Sequence, residues 1–160
     1  MWLSRGPSGG AGLAGKLAAS LLVVACASGV AAAQRNPYRS YTEEKFVQNM
    51  QTAGRNYAAV TDLLARNDYE SAKAQLTRAR EQLAITVTFW RDRKKNDALG
   101  LLRNALDGSD DLDAALSAES VEPAVIRAAS QRLAAACEAC HAVYREQDPG
   151  TRAFRIKNLR

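Results

Sequence analysis

The sequence predicts an all-α protein, an up-down-up-down antiparallel four-helix bundle. Three observations predict it. Ala and Leu abound while Pro, Gly and aromatic residues are sparse; apolar residues recur at spacings of three and four; and the connections between the apolar stripes are short. The chain has 160 residues, 47% of them hydrophobic, and removal of a leader leaves about 125, enough for one domain around one core. No strands are expected.

Residues 1–33 read as a secretory signal peptide. Arg5 and Lys16 precede an apolar run over 17–33 that ends in Ala31-Ala32-Ala33, before a sharp switch to Gln34-Arg35-Asn36-Pro37. Cleavage is expected after Ala33. Two alternatives stay open: a retained membrane anchor, for which the run is short and rich in alanine, and a lipoprotein signal ending before Cys26, since Val23-Val24-Ala25-Cys26 resembles a bacterial lipobox. Export puts the working domain, residues 34–150, in the periplasm, or leaves it lipid-anchored through Cys26.

A polar linker at 34–39 leads to Ser40-Tyr41-Thr42-Glu43, a capping-box pattern, so a first helix begins there. Phe46, Met50, Ala53, Tyr57, Val60 and Leu64 give it one apolar stripe to about Arg66. Asn67-Asp68-Tyr69-Glu70 repeats the capping signal. A second helix follows, with the stripe Tyr69, Ala72, Leu76, Ala79, Leu83, Val87 and Trp90 running unbroken to the cluster Arg91-Asp92-Arg93-Lys94-Lys95. In the third helix Asp97 is the expected cap, and Ala98, Leu101, Leu102 and Ala105 form the inner face. Asp107-Gly108-Ser109-Asp110 is expected to interrupt it before Leu112 and Leu116, as one broken helix or two short ones. Pro123 suits the first position of a fourth helix, whose stripe is Ile126, Ala129, Leu133, Ala136 or Cys137, Cys140 and Tyr144. Asp148-Pro149-Gly150 should end it, leaving 151–160 as a basic tail. Short connections make the first and fourth helices antiparallel neighbours.

The formal net charge is +5; with Arg5 and Lys16 in the leader, 20 basic residues face 17 acidic ones, a net of +3. That is too weak for a nucleic-acid binder, and the basic residues lack the aromatic interleaving of single-strand platforms. No nucleic-acid partner is expected.

Once Cys26 goes with the leader, only Cys137 and Cys140 remain, and a disulfide between them would close almost no loop. Cys137-Glu138-Ala139-Cys140-His141 is instead the attachment pattern of haem c. On a helix, positions i, i+3 and i+4 share a face, so two thiols add across two vinyl groups as thioethers while the imidazole of His141 points at the iron. A zinc site would lack ligands, because His141 is the sole histidine. A thioredoxin-like pair would open a helix after a strand, whereas this motif sits late in an alanine-rich helix.

Continued as Ala142-Val143-Tyr144-Arg145, the C-terminal motif resembles that of the cytochrome c prime family, the class II c-type cytochromes, a four-helix-bundle family. The resemblance covers the residues after the leader, strongly at the motif and weakly elsewhere. It implies a residue on the first helix, Met or Leu, facing the open side of the haem, where Met50 stands, and a late aromatic on the second helix, where Phe89-Trp90 stands. Phe46 departs from the pattern, in which a basic residue is common one turn before the ligand position. The turn between the first two helices is also shorter than in the family.

Axial geometry points to Met50 as well. It lies roughly 14 Å into the first helix, and Cys137 to His141 lie about 9–15 Å from the end of the fourth, so antiparallel neighbours bring them level. Two readings of Met50 stand: sixth iron ligand beside His141, or packing in the helix seam. Trp90 either walls the haem or fills the core. Arg145 either shields the imidazole of His141 or complements the helix dipole. Arg91, Arg93, Lys94, Lys95, Arg152, Arg155 and Lys157 either pair with propionates and steer an acidic partner or form a solvated surface.

Three functions are therefore in play. The first is a periplasmic electron carrier with one haem c on Cys137 and Cys140, its iron held by His141 and Met50, and no substrate transformed. A second is a five-coordinate binder of nitric oxide or carbon monoxide with Met50 lining an open pocket. The third is a haem-free helical interaction module. The expected partners are a redox protein, or in the second reading a small gas, and a second copy of the chain as a homodimer.

Overall fold

The computed structural model describes residues 41–159; the leader, its cleavage site and Cys26 lie outside them. The described residues are mostly helical, as the sequence predicts. Thr42 starts the first helix, α1 (Glu43–Ala65), its hydroxyl accepting from the Lys45 N–H at 3.2 Å, with Glu43 and Glu44 in the first turn. The cap is thus Thr42; Ser40 lies outside the described residues. Phe46, Ala53 and Val60 are buried on the stripe.

The tight turn after α1 closes as a Schellman motif. Asn67 takes a φ of 57°, its N–H donates to the Leu64 carbonyl, and that of Asp68 donates to Leu63. Asp68, rather than Asn67, then caps α2 (Tyr69–Ile85) through the Ser71 N–H. Three residues end one helix and start the next.

The second helix is not continuous. It breaks at Thr86, and α3 (Val87–Asp92) carries the last turn. Thr86 is fully buried, and its hydroxyl donates to the Leu83 carbonyl at 2.6 Å while its N–H donates to the same oxygen. A buried β-branched hydroxyl with no water to bond turns back on its own helix and tightens it locally. A hydrophobic stripe does not register that competition.

The expected interruption of the third helix is absent. α4 (Asn96–Leu116) runs through Asp107-Gly108-Ser109-Asp110 without a break. Ser109 satisfies its buried hydroxyl on the Ala105 carbonyl at 2.9 Å. Gly108 serves close packing: a Cβ there would meet Leu133 Cα at 3.2 Å. The expected cap also moves, because α4 starts at Asn96 after Lys95 and Asp97 stands inside the first turn.

α5 (Pro123–Tyr144) begins on its proline and buries Ile126, Ala129, Leu133 and Tyr144. It ends at Tyr144, earlier than Asp148-Pro149-Gly150, and the basic tail is not loose chain. Contrary to the expectation of no strands, β1 (Arg145–Gln147) and β2 (Phe154–Ile156) pair antiparallel, with Glu146 opposite Arg155. Asp148 makes the turn by accepting from the N–H groups of Gly150 and Thr151. Ile156 and Leu159 pack on the core.

The main packing partners are α1 with α2 and α4 with α5, joined by α2 against α4, while β2 reaches α1. No helix among the described residues is long and apolar enough to cross a membrane.

Two glycines of α4 should respond in opposite senses. Gly100 has open space at its Cβ position, so Gly100→Ala should stabilise the fold by up to about 1 kcal/mol. Gly108→Val should destabilise it by about 1–3 kcal/mol through overpacking against Leu133. Thermal unfolding of the two variants beside the unsubstituted chain checks both signs.

Candidate functional site

Because α1 packs mainly on α2 and α5 mainly on α4, a cavity of about 440 Å³ lies between α1 and α5. Cys137, Cys140 and His141 line it from α5, at the spacing that turns i, i+3 and i+4 to one side. Met50 lines it from α1. The four residues singled out by the sequence thus meet in one space. Deeper in, the Tyr57 hydroxyl of α1 donates to the Ser130 carbonyl of α5 at 3.0 Å and ties the two walls together.

Trp90 fills the core, as one of its two readings expects. It is 1% exposed and packs edge-on against Phe46 and Phe89, and it also lines the cavity. Thr86 and Ser109 line it too, but their hydroxyls are spent on helix carbonyls. The interior is therefore apolar.

Charge is distributed unevenly around this space. No Asp or Glu is among the described residues that line it, whereas Arg55, Arg145 and Arg155 are. Arg145 follows the last residue of α5 and stacks its guanidinium over the Phe154 ring at 4.9 Å from the centroid. The hairpin, more than the helix dipole, holds it. Arg155 pairs with Glu146 at 2.7 Å and with Asp148 at 3.7 Å.

The other basic residues behave differently. Arg93 lies over the face of Phe89 at 3.6 Å and donates to the carbonyls of Tyr41 and Phe89, a structural use. Arg91 pairs with Asp92. Neither lines the cavity, nor do Lys94, Lys95, Arg152 and Lys157.

Both cysteines are unbridged. Burial raises the pKa of each thiol, Cys140 to about 11, with the Cys137 and Asp97 charges adding to it. A redox dithiol needs the opposite shift, from a helix N-terminus or a neighbouring cation. Burial and the nearby Arg145 charge lower the His141 pKa, so the imidazole is neutral at neutral pH with a lone pair to offer. Among the described residues no group of three or more His, Cys, Asp or Glu is placed to hold a metal ion by itself.

These residues could hold a largely apolar cofactor that carries acidic substituents. Two thiols and one imidazole stand on one wall, a thioether on the other, and guanidinium groups at the rim. Sequence reasoning missed Arg55, Phe154 and Ile156 of this lining. Phe154-Arg155-Ile156 has the alternation of a short strand after an Asp-Pro-Gly turn, the one signal that was there to read.

Compared with protein-family models, curated proteins and solved structures, the chain matches none. The reading of this site rests on its own residues.

Proposed function

We propose that this chain is an exported monohaem c-type cytochrome of the cytochrome c prime kind, an antiparallel up-down-up-down bundle that carries electrons and transforms no substrate. One observation carries the reading: a Cys-x-x-Cys-His motif lines an apolar cavity, free of carboxylates among its described lining, that also holds a methionine. Cys137 and Cys140 would hold the haem as thioethers, so that an exported protein would not lose it. His141 would bind the iron from α5 and Met50 from α1, while Trp90 and Leu83 would help keep water out of the cavity they line. Arg145 and Arg155 would pair with the acidic substituents of the group. Bound here, the iron supplies one-electron chemistry at the raised potential that Met/His ligation gives. Its partner is another redox protein. Release from the leader occurs after Ala33, with lipidation at Cys26 as the competing route.

Haem staining after denaturing electrophoresis tests attachment. Protein made with c-type maturation machinery should stain, and Cys137→Ala together with Cys140→Ala should abolish the stain. An unstained band at the mass of the bare polypeptide would refute the proposal.

Axial ligation by Met50 has a spectral consequence. The oxidised protein should show the methionine-to-ferric-iron charge-transfer band in the red, and Met50→Leu should remove it and open the reduced iron to carbon monoxide. The exchange keeps an apolar side chain of similar volume and should cost under about 1.5 kcal/mol in stability. A high-spin protein that binds carbon monoxide quickly and is indifferent to Met50→Leu would instead support the gas-binding reading.

A further inference from the structure

α5 ends within one turn of its ligand residue. Arg145 already has extended backbone, and its N–H donates to the His141 carbonyl. No glycine follows to close the end in a left-handed cap. Last turns of helices fray because their carbonyls lack helical partners. A ligand on such a turn needs support from elsewhere.

The Asn158 side-chain amide gives some of it, donating to the Val143 carbonyl at 2.7 Å, and Tyr144 gives the part that reaches α4. It stands three residues after His141 and four after Cys140, on the same side of the helix, and is 5% exposed. Its ring lies tilted on Trp90 with centroids 4.6 Å apart. Its hydroxyl donates to the carboxylate of Asp97, in the first turn of α4. Its carbonyl accepts from the Lys157 N–H just beyond β2 at 3.0 Å. The Tyr144 hydroxyl, helped by the backbone amides at the start of α4, holds the Asp97 carboxyl below the usual carboxylate range.

We propose that Asp97 and Tyr144 form a clamp that positions His141, fixing the ligand-bearing turn of α5 from α4. The proposal rests on the haem reading of the site. Neither residue touches the iron; both act through the backbone that carries His141. The essential element is a hydrogen bond from a buried phenol to an oxygen on a rigid helix start. The formal charge of Asp97 is secondary, so an amide oxygen at that position should serve nearly as well.

Three variants of the full haem-loaded chain separate these roles: Tyr144→Phe, Asp97→Ala and Asp97→Asn. Losing one buried hydrogen bond should raise exchange of the backbone amide protons of 143–145 about fivefold in the first two. The ferric electron paramagnetic resonance spectrum, whose g-values follow the orientation of the imidazole plane, should broaden and shift in the same two. Asp97→Asn should restore both readouts toward those of the unsubstituted protein. Should Asp97→Ala not fold, Tyr144→Phe, which keeps the ring, carries the comparison with Asp97→Asn. Unchanged g-values in Tyr144→Phe would overturn the clamp, and so would an Asp97→Asn spectrum as altered as that of Asp97→Ala, which would assign the effect to charge. Absence of haem from the unsubstituted chain is a different failure, that of the proposed function. Amide exchange in the haem-free chain would then still report whether the phenol–carboxylate bond holds the turn.

Discussion

Close packing of α4 on α5 is the constraint on which the site depends. It is tightest where Gly108 meets Leu133, because a Cβ at 108 would stand 3.2 Å from the Leu133 Cα and the backbone there would have to give way. With α5 committed to α4 and α1 to α2, neither α1 nor α5 collapses onto the other, and the space between them stays open. Leu133 is one turn before Cys137 on α5, so the residue that registers the helix against α4 also sets the height and rotation of the cysteine motif. The aromatic cluster of Phe46, Phe89, Trp90 and Tyr144 closes this end of the core. Its large rings fix the cavity wall by packing that tolerates little rearrangement.

Electrostatics complement that shape. Removing a charge from water into an apolar slot is costly unless it is paired, and the chain keeps carboxylates out of the described lining while leaving guanidinium groups at its rim. Among the described residues Arg145 is held over Phe154 and makes no ion pair, whereas Arg155 is balanced by Glu146 and Asp148. An anionic edge entering the cavity would meet these two differently: Arg145 is available at once, and Arg155 only by exchange with its present partners. The neutral state of His141 follows from the same surroundings, since burial and the Arg145 charge both oppose its protonation.

Much of this was legible in the sequence because it follows from period and spacing. The stripes from Phe46 to Leu64 and from Ile126 to Tyr144 specify two helices, and Cys137, Cys140 and His141 specify a shared face whatever surrounds them. Met50 was legible at the level of axial height. What escaped depends on contacts between residues distant in the chain. Asp107-Gly108-Ser109-Asp110 has the local composition of a turn, but Gly108 is there for the approach of Leu133, a tertiary reason that overrides propensity. Thr86 sits between apolar neighbours and turns its hydroxyl onto Leu83 because it is buried. Phe154-Arg155-Ile156 carries only one alternation of a strand, and its pairing depends on α5 stopping at Tyr144 and presenting β1 to it.

The central claim is that Cys137 and Cys140 are spent on one covalent group, and thiol alkylation combined with intact mass tests it most directly. Protein purified from an exporting host with c-type maturation, then denatured and treated with a thiol reagent, should take up no label at either cysteine and should weigh one haem more than the processed chain. Labelling of both cysteines on a chain of bare polypeptide mass would contradict the account.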